Sequence, residues 1–438
     1  MTTHLKYASL ALAIGLFGCS EQPTTSTDKP NAESNEAVNI ANVRSHIKTL
    51  ASDEFLGRGP LTEGETLTIN YLADEYKKLG LSGSFNGEFL QPVTMAKLTP
   101  DQNMTLQVGD LSFNAGSDFT ARTQQINPEI NIDGSDVVFV GYGINAPEYN
   151  WDDFADIDVK DKTIIVLVND PGFATQDDAL FTGNAMTYYG RWTYKYEEGA
   201  RQGAKAVFIV HETAPAAYPW GVVESSNTGS KYTLIDQDKN ASDIPVMGWI
   251  DEQAANEIFA QAGLDYQTEK ANALKADFKP VDLKAKAALT LKSDISQAQS
   301  HNVVATLKGS ETPNEYIVIG AHWDHFGTKQ TDDGVKIYNG AVDNASGSAA
   351  TVEIARILTE MHKKKPFKRS IIFANFTAEE TGLIGSEQFA TGEIVPTKQM
   401  VALLNIDGMN VLDGVDYILQ YGKGCLLYTS PSPRDRQK

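Results

Sequence analysis

The sequence predicts an α/β fold: an open, mainly parallel sheet that a second unit interrupts. In the last third of the chain, apolar runs of strand length alternate with helical spacing and end in turns. A separate group of apolar runs occupies residues 131–264. The composition is that of a folded protein, because 41% of the 438 residues are hydrophobic and 21% are charged.

The net charge excludes nucleic acid as an expected partner. The chain has 37 basic and 57 acidic side chains, a formal net charge of −20. Binding to a phosphate backbone depends on clustered Lys and Arg, and the sequence has no basic stripe. Because the chain has two cysteines, we predict no structural role for disulfides. We therefore expect an acidic, soluble globular protein.

Residues 1–19 predict a lipoprotein signal. An apolar run from Tyr7 to Phe17 is too short to span a bilayer, and it leads to Cys19 at the position of an acylated thiol. Residues 20–37 are polar and predict a flexible tether. We expect an exported protein, lipid-anchored on the periplasmic side of a bacterial envelope, most simply at the outer membrane, or secreted. The alternative is an ordinary signal peptide with an incidental cysteine.

Residues 423–438 lose the alternation of strands and turns and become basic and rich in Pro and Ser. One interpretation is a natural disordered tail. The favoured one is that the true reading frame is lost near Lys423, so that the fold is incomplete at this end.

The order of the elements predicts one discontinuous domain, 38–130 with 265–422, around the inserted unit. The predicted helices are 40–50, 67–79 and 194–202, and the predicted strands are short runs within 88–123, then 136–140, 163–168, 206–210, 244–247, 289–291 and 303–307.

A glycine pattern in the inserted unit is similar to a dinucleotide-binding loop. Gly141, Gly143 and Ala146 follow an apolar strand, but a Pro and aromatic loop starts at Pro147 instead of a helix. Since phosphate binding at such a loop uses a helix N-terminus, we expect no nucleotide there.

Four apolar strands in the last third end at acidic or imidazole side chains. Because functional groups collect at the carboxyl ends of parallel strands, we expect these four ends to converge. The clusters are His322, Asp324 and His325 after strand 316–321, Asp343 after 335–339, Glu379 and Glu380 after 370–375, and Asp407 after 400–404.

Converging carboxylates repel one another unless a cation lies between them, so His322, Asp343, Glu380 and Asp407 are the predicted metal ligands. Oxygen and nitrogen donors suit catalytic zinc, although they would also accept cobalt or manganese. Asp343, in a turn before a helix, is the predicted bridge between two ions. Glu379 points away from its neighbour Glu380 and is the predicted general base.

Asp324 is predicted to accept the second imidazole N–H of His322 and so to orient it. His325 is interpreted as a structural or supporting histidine. Each cluster alone has a simpler explanation, since paired glutamates usually lie on a solvated face and an Asp after a strand usually caps a turn. Four clusters in succession favour the metal site.

Four strings resemble the co-catalytic zinc aminopeptidases of metallopeptidase family 28: GAHWDHFG (320–327), NGAVDNASG (339–347), FTAEETGLIGS (376–386) and LNIDGMN (404–410). LASDEFLGR (50–58) is similar to secreted members of that family, and the inserted unit resembles a protease-associated domain. The resemblance implies a three-layer αβα sandwich with a mixed, mainly parallel sheet and an inserted, mainly-β domain.

The resemblance also implies two Zn²⁺, with His322, Asp343 and Asp407 on one ion, Asp343 and Glu380 on the other, and Glu379 as base. It implies a cis peptide bond between Asp343 and Asn344. The family completes its second site with a histidine near the C-terminus, whereas all seven histidines of this chain precede Asp407. The second site is therefore expected to be incomplete, and the 438-residue chain to have little activity.

The leading hypothesis is an aminopeptidase that removes N-terminal residues from peptides through zinc-activated water. The alternatives are a carboxypeptidase on the same fold, a single-zinc enzyme similar to glutaminyl cyclase, and a non-catalytic receptor or binding protein on the same scaffold.

Overall fold

The computed structural model describes residues 37–409. The predicted signal, Cys19, nearly all of the tether and the C-terminal tail lie outside these residues. Within 37–409, no helix is both long and apolar enough to cross a membrane.

Helices and strands alternate along the described chain. The α-helices are α1 (Ile40–Leu50), α2 (Glu63–Lys78), α3 (Pro171–Thr175), α4 (Trp192–Arg201), α5 (Thr213–Ala216), α6 (Trp220–Asn227), α7 (Glu252–Gln261), α8 (Tyr266–Asn272), α9 (Ser346–Lys364) and α10 (Ile384–Ala390). The strands are β1 (Ser82–Gly83), β2 (Leu90–Pro100), β3 (Thr105–Val108), β4 (Leu111–Asn114), β5 (Phe119–Arg122), β6 (Glu129–Phe139), β7 (Asn145–Ala146), β8 (Trp151–Asp152), β9 (Thr163–Leu167), β10 (Ala206–His211), β11 (Lys231–Leu234), β12 (Val246–Asp251), β13 (Val281–Leu307), β14 (Thr312–His322), β15 (Thr328–Thr331), β16 (Gly334–Ile337), β17 (Arg369–Phe376) and β18 (Met400–Asn405).

The predicted site residues other than Asp343 follow a parallel group of strands. The expectation that all four strands end at one sheet edge is wrong for the strand before Asp343, because β16 pairs antiparallel with β15 in a separate two-stranded sheet. β14 pairs in parallel with β17 on one side and with β18 on the other. The next strand, β13, is antiparallel to β17, and β2 is antiparallel to β13. The predicted mixed sheet is therefore present, with the order β18-β14-β17-β13.

Helices cover both faces of this sheet. Along β17, Phe373 lies in a core that includes residues of α1, α2 and α9, whereas Ile372 lies in a core with Phe389 of α10. Successive side chains of a strand point to opposite faces, so an uninterrupted apolar strand is buried from both sides. This is the three-layer αβα arrangement that was expected.

The middle of the chain extends the same sheet. β6, β9, β10 and β12 pair in parallel in that order, and β6 is antiparallel to β13. The 27-residue strand β13 therefore runs through both parts of the sheet. The buried core of the middle part includes residues from Met104 to Leu291, a wider span than 131–264.

The resemblance implied that the middle part is mainly β, but in the structure it is not. Six helices, α3 to α8, accompany its strands in the described chain. Helix α7, for example, buries Ala255, Ile258 and Phe259, a spacing that places these side chains on one helical face. Its assignment as a protease-associated domain stays a prediction.

Several element boundaries differ from the sequence prediction; β6, for example, begins at Glu129 rather than at residue 136. Helix α2 begins at Glu63 rather than at residue 67, because the Thr62 hydroxyl accepts a hydrogen bond from the Gly64 N–H and caps the helix. The runs predicted at 289–291 and 303–307 are one strand, β13, because the polar stretch between them pairs with β2. The glycine pattern leads into a short 3₁₀ helix, Pro147–Tyr149, rather than into an α-helix.

Candidate metal centre

The ends of three parallel strands lie side by side at one edge of the sheet. His322 ends β14 and is paired with Phe376, the last residue of β17. Gly320 of β14 is paired with Asn405, the last residue of β18. Because the strands are parallel, the segments that follow them leave the sheet at the same edge. The chemistry-bearing side chains are collected there.

One group of possible ligand atoms belongs to His322, Asp343 and Asp407. His322 Nε2 lies 3.1 Å from Asp343 Oδ1 and 3.3 Å from Asp407 Oδ1. Donors that bind one tetrahedral zinc ion at about 2.0–2.1 Å lie about 3.3 Å from one another. The donor types and their spacing therefore fit zinc. The imidazole is buried, whereas both carboxylates are about half exposed.

A second group belongs to His325, Asp343 and Glu380. His325 Nδ1 lies 2.6 Å from Glu380 Oε1. Asp343 is common to both groups, which places its carboxylate where a bridge between two ions requires it. The sequence interpretation assigned no ligand role to His325, although its position in the turn directly after β14, three residues from His322, is a signal that could have suggested one.

Glu379 lies beside the first group. Its Oε2 is 3.9 Å from His322 Nε2. Burial raises the pKa of Glu379 to about 7; the neighbouring imidazole opposes the shift, and the surrounding carboxylates add to it. A carboxyl group that titrates near neutral pH suits a general base. Its neighbour Glu380 contacts His325 instead, so the two adjacent glutamates do face different partners.

Asp324 is fully buried and supports the pair of glutamates. Its carboxylate accepts hydrogen bonds from the backbone N–H groups of Glu379 and Glu380, at 3.1 and 3.3 Å. His322 Nδ1 lies 3.1 Å from the Asp324 backbone carbonyl and 3.6 Å from its carboxylate. The expected hydrogen bond to the imidazole is therefore made by the carbonyl, because the carboxylate is engaged by the backbone after β17.

The charges around His322 favour its protonated form. Burial acts to lower the pKa of His322, but the Asp324 carboxylate, followed by Glu379 and Asp407, raises it to about 9. In the metal-free protein this imidazole is protonated at neutral pH. A metal ion that binds there must displace the proton.

Arg58 is a residue of the site that the sequence analysis included only within a matching string. Its guanidinium is fully buried and donates hydrogen bonds to four backbone carbonyls. Two of these belong to Leu50 and Trp323, at 2.7 and 2.9 Å. The other two belong to Asn339 and Gly340, at 2.7 and 2.8 Å. Arg58 thus ties the segment after β14 to the loop that carries Asp343.

Asn344 connects the loops of the two half-exposed carboxylates. The peptide bond between Asp343 and Asn344 is cis, as the resemblance implied. The Asn344 side chain donates to the carbonyl of Ile406 at 2.9 Å and accepts from the N–H of Gly408 at 3.2 Å. These bonds flank Asp407 on both sides, so one side chain holds the Asp343 loop against the Asp407 loop.

The structure therefore brings together His322, Asp324, Asp343, Glu379, Glu380 and Asp407, all of which the sequence singled out. Residues 302–428 match the family model described as Peptidase family M28, and this span includes all six positions. Residues 302–428 are thus similar to peptidase family M28.

The M28 segment is also similar to parts of curated proteins. A probable zinc metalloprotease of Pyrenophora teres f. teres (strain 0-1) is 39% identical over 109 residues, 24% of this chain and 22% of the relative. Aminopeptidase NAALADL1 of Mus musculus is 39% identical over 112 residues, 25% and 13% of the two chains. A glutamate carboxypeptidase 2 homolog of Caenorhabditis elegans is 31% identical over 125 residues, 28% and 15%. The matches thus span less than a quarter of each relative.

Two solved structures are similar over more of the chain. An aminopeptidase from Aneurinibacillus sp. strain AM-1 has 21% identity and a TM-score of 0.44, with 87% of this chain and 73% of that chain covered. A zinc aminopeptidase from Bacillus subtilis has 18% identity and a TM-score of 0.37, with 85% and 70% covered.

Proposed function

We propose that this protein is a metal-dependent aminopeptidase that hydrolyses N-terminal residues from peptides, with two Zn²⁺ and Glu379 as general base. The observation that carries the proposal is the convergence of His322, Asp343 and Asp407 on one point, with the Glu379 carboxyl 3.9 Å from the imidazole. The zinc metalloprotease and aminopeptidase names of the relatives support the same chemistry.

Each side chain has a distinct part in this reaction. His322, Asp343 and Asp407 would hold one zinc ion, and Asp343 and Glu380 would contribute to the second. Bound there, zinc supplies Lewis acidity that activates water and polarises the peptide carbonyl. Glu379 takes the proton of the attacking water and delivers it to the nitrogen of the leaving amine.

Replacement of the base tests this assignment. Glu379→Gln keeps the shape of the side chain and lacks a basic oxygen, so we expect kcat to fall by about 10²–10⁴ while zinc content stays unchanged. The measurements are kcat on an aminoacyl p-nitroanilide and bound zinc by mass spectrometry. Glu88→Gln, at an exposed glutamate, is the matched control. Full turnover in Glu379→Gln would overturn the assignment.

Peptides with blocked ends separate the enzyme alternatives. An aminopeptidase loses activity when the substrate's amino terminus is acetylated, whereas a carboxypeptidase loses it when the carboxyl terminus is amidated. A carboxypeptidase needs a cation for the terminal carboxylate, and the Arg58 guanidinium near this site already donates to four carbonyls. Cyclisation of an N-terminal glutamine would indicate the cyclase, and zinc binding with no reaction on any substrate would indicate a binding protein.

We also propose that the protein is exported and carries a lipid at Cys19. The support is the short apolar run that precedes this cysteine. Metabolic labelling with a palmitate analogue is expected to mark the wild-type chain in the membrane fraction and to leave Cys19→Ala unmarked and soluble. Equal labelling of both chains would refute acylation at this position.

A further inference from the structure

We propose that Asn302 is a positioning residue for the general base, because its side chain holds both ends of the loop that carries Glu379 and Glu380. This inference rests on the proposed function, which gives the base role to Glu379. The loop, residues 377–385, runs from the end of β17 into the start of α10. Asn302 lies on β13 and reaches the loop through its backbone.

The Asn302 amide bonds the loop where it begins and where it ends. Its Oδ1 accepts from the N–H of Thr377 at 3.0 Å, and its Nδ2 donates to the carbonyl of Gly385 at 2.7 Å. Nδ2 also donates to Gln91 Oε1, on β2, at 2.9 Å. Asn302, Gln91 and Thr377 are all fully buried. Since a buried amide without its hydrogen bonds is strongly unfavourable, the loop ends stay against Asn302.

The two ends of the loop are also bonded to each other beside this amide. The Gly385 N–H donates to the Thr377 carbonyl at 3.0 Å, and the Thr377 hydroxyl lies 2.6 Å from the hydroxyl of Ser300 on β13. A Cβ atom built on Gly385 would lie 2.4 Å from Asn302 Oδ1. The loop backbone therefore packs directly on the Asn302 side chain.

Apolar packing holds the same loop from another direction. Ala378 and Ile384 belong to a buried cluster with Val93 of β2 and Leu234 of β11. The Ile384 N–H donates to the Ala378 carbonyl at 3.2 Å, so these two residues form a second closed pair inside the ends that Asn302 holds. The loop thus has a fixed base on the sheet, with the two glutamates at its turn.

The glutamates are anchored at two levels. Asp324 binds the N–H groups of Glu379 and Glu380, and Asn302 binds the ends of their loop. With both anchors in place, the Glu379 carboxyl lies 3.9 Å from His322 Nε2. A misplacement of about 1 Å can lower a rate by about 10²-fold. Release of the loop ends should therefore lower turnover although no group that touches the substrate is removed.

The competing role for Asn302 is that of an ordinary buried polar group, whose loss weakens the whole fold equally. The two roles differ in where the chain opens. A positioning residue keeps one segment closed, so its replacement increases local opening of 377–385 alone, whereas an ordinary core residue changes global opening and leaves the local differences as they were.

The first experiment is amide hydrogen exchange, read by mass spectrometry, on the metal-free full chain. In Asn302→Ala we expect segment 377–385 to exchange about 10–100-fold faster, while segment 316–321 of β14 keeps its wild-type rate. The matched control is Asn169→Ala, at a buried asparagine of the middle part that also bonds two backbone groups. It should leave 377–385 unchanged. Wild-type exchange of 377–385 in Asn302→Ala, or equal acceleration of both segments, would overturn the proposal.

A milder variant covers the case in which Asn302→Ala does not fold. Ser300→Ala keeps every bond of Asn302 and removes one hydroxyl contact to Thr377. Loss of one ordinary hydrogen bond should accelerate exchange of 377–385 by about 5-fold. No acceleration in this segment would contradict the clamp.

The second experiment measures kcat and KM on an aminoacyl p-nitroanilide at saturating zinc. Asn302→Ala should lower kcat by about 10²-fold and leave KM near the wild-type value, because the base acts in the transition state. Asn169→Ala should keep the wild-type kcat. Fast exchange of 377–385 with an unchanged kcat would overturn the positioning role. If wild type cleaves no peptide, the proposed function fails, and the exchange data still decide whether Asn302 holds the loop.

Discussion

Replacement of Arg58 should loosen the metal centre and the fold together. Arg58→Met keeps the length of the side chain and removes the donors that four carbonyls share. The bonds to Leu50 and Trp323 are fully buried, and a buried acceptor left without a partner costs about 1–3 kcal/mol. The two partly buried acceptors can turn to water. We therefore expect the free energy of unfolding to fall by about 4 kcal/mol.

The assay is urea denaturation of the metal-free protein, followed by circular dichroism. Arg58→Lys retains a charge with fewer and less directed donors, so its loss should be about half as large. Arg44→Met, at an exposed arginine of α1, should stay within about 0.5 kcal/mol of wild type. Zinc affinity of Arg58→Met should be about 10–100-fold weaker, because Asp343 loses its anchored loop. A single ordinary hydrogen bond contributes about 1 kcal/mol. If the free energy of unfolding of Arg58→Met lies within about 1 kcal/mol of the wild-type value, this reasoning is refuted.

Two further predictions concern pH and a close backbone contact. Since His322 has a raised pKa of about 9, its contribution to the stability of the metal-free protein is complete below about pH 6.5 and is lost as the pH rises towards 9. Urea denaturation in EDTA should show this decline in the free energy of unfolding, whereas zinc affinity should rise over the same pH range. A free energy of unfolding that does not change with pH in EDTA would contradict the raised pKa. Gly57 has φ +65°, and a Cβ atom there would lie 2.4 Å from the carbonyl oxygens of Gly327 and Tyr338. Gly57→Ala should therefore lower the melting temperature far more than Gly80→Ala, because Gly80 has a similar φ but open space around it. An equal fall in melting temperature in the two variants would contradict the steric argument.

The strand ends of the last third were predictable because their sequence signal is local. β14, β17 and β18 are apolar on both faces, and each ends at a polar group within a few residues. Parallel pairing then makes convergence of His322 and Asp407 a geometric necessity. The position of Asp343 does not follow from this rule, because the strand before it, β16, pairs antiparallel with β15 in a separate two-stranded sheet. Its loop is held instead by the hydrogen bonds of Arg58 and Asn344.

The role of Arg58 was not predictable in this way. Its four acceptors are backbone carbonyls, which carry no residue-specific signal, and two of them lie about 280 positions away along the chain. The partners of Asp324 were unpredictable for the same reason. Its carboxylate accepts from the backbone N–H groups of Glu379 and Glu380 instead of the His322 imidazole, and these N–H groups are placed by the path of the chain after β17. The helices of the middle part were underestimated because several are short: α3, α5 and α8 have seven residues or fewer.

The long strand β13 has a consequence for how the chain is made. Strand β2 pairs with β13 and with β11. Its residue Pro100 is paired with Ser293 of β13, which is synthesised 193 residues later. At about 5–20 residues per second, translation leaves this strand without its main partner for roughly 10–40 s. A nascent chain that has reached residue 280 thus displays an open strand edge, the kind of surface on which other chains pair. A fragment released at this stage should therefore aggregate. The nascent chain needs chaperone binding most in the interval before β13 is synthesised.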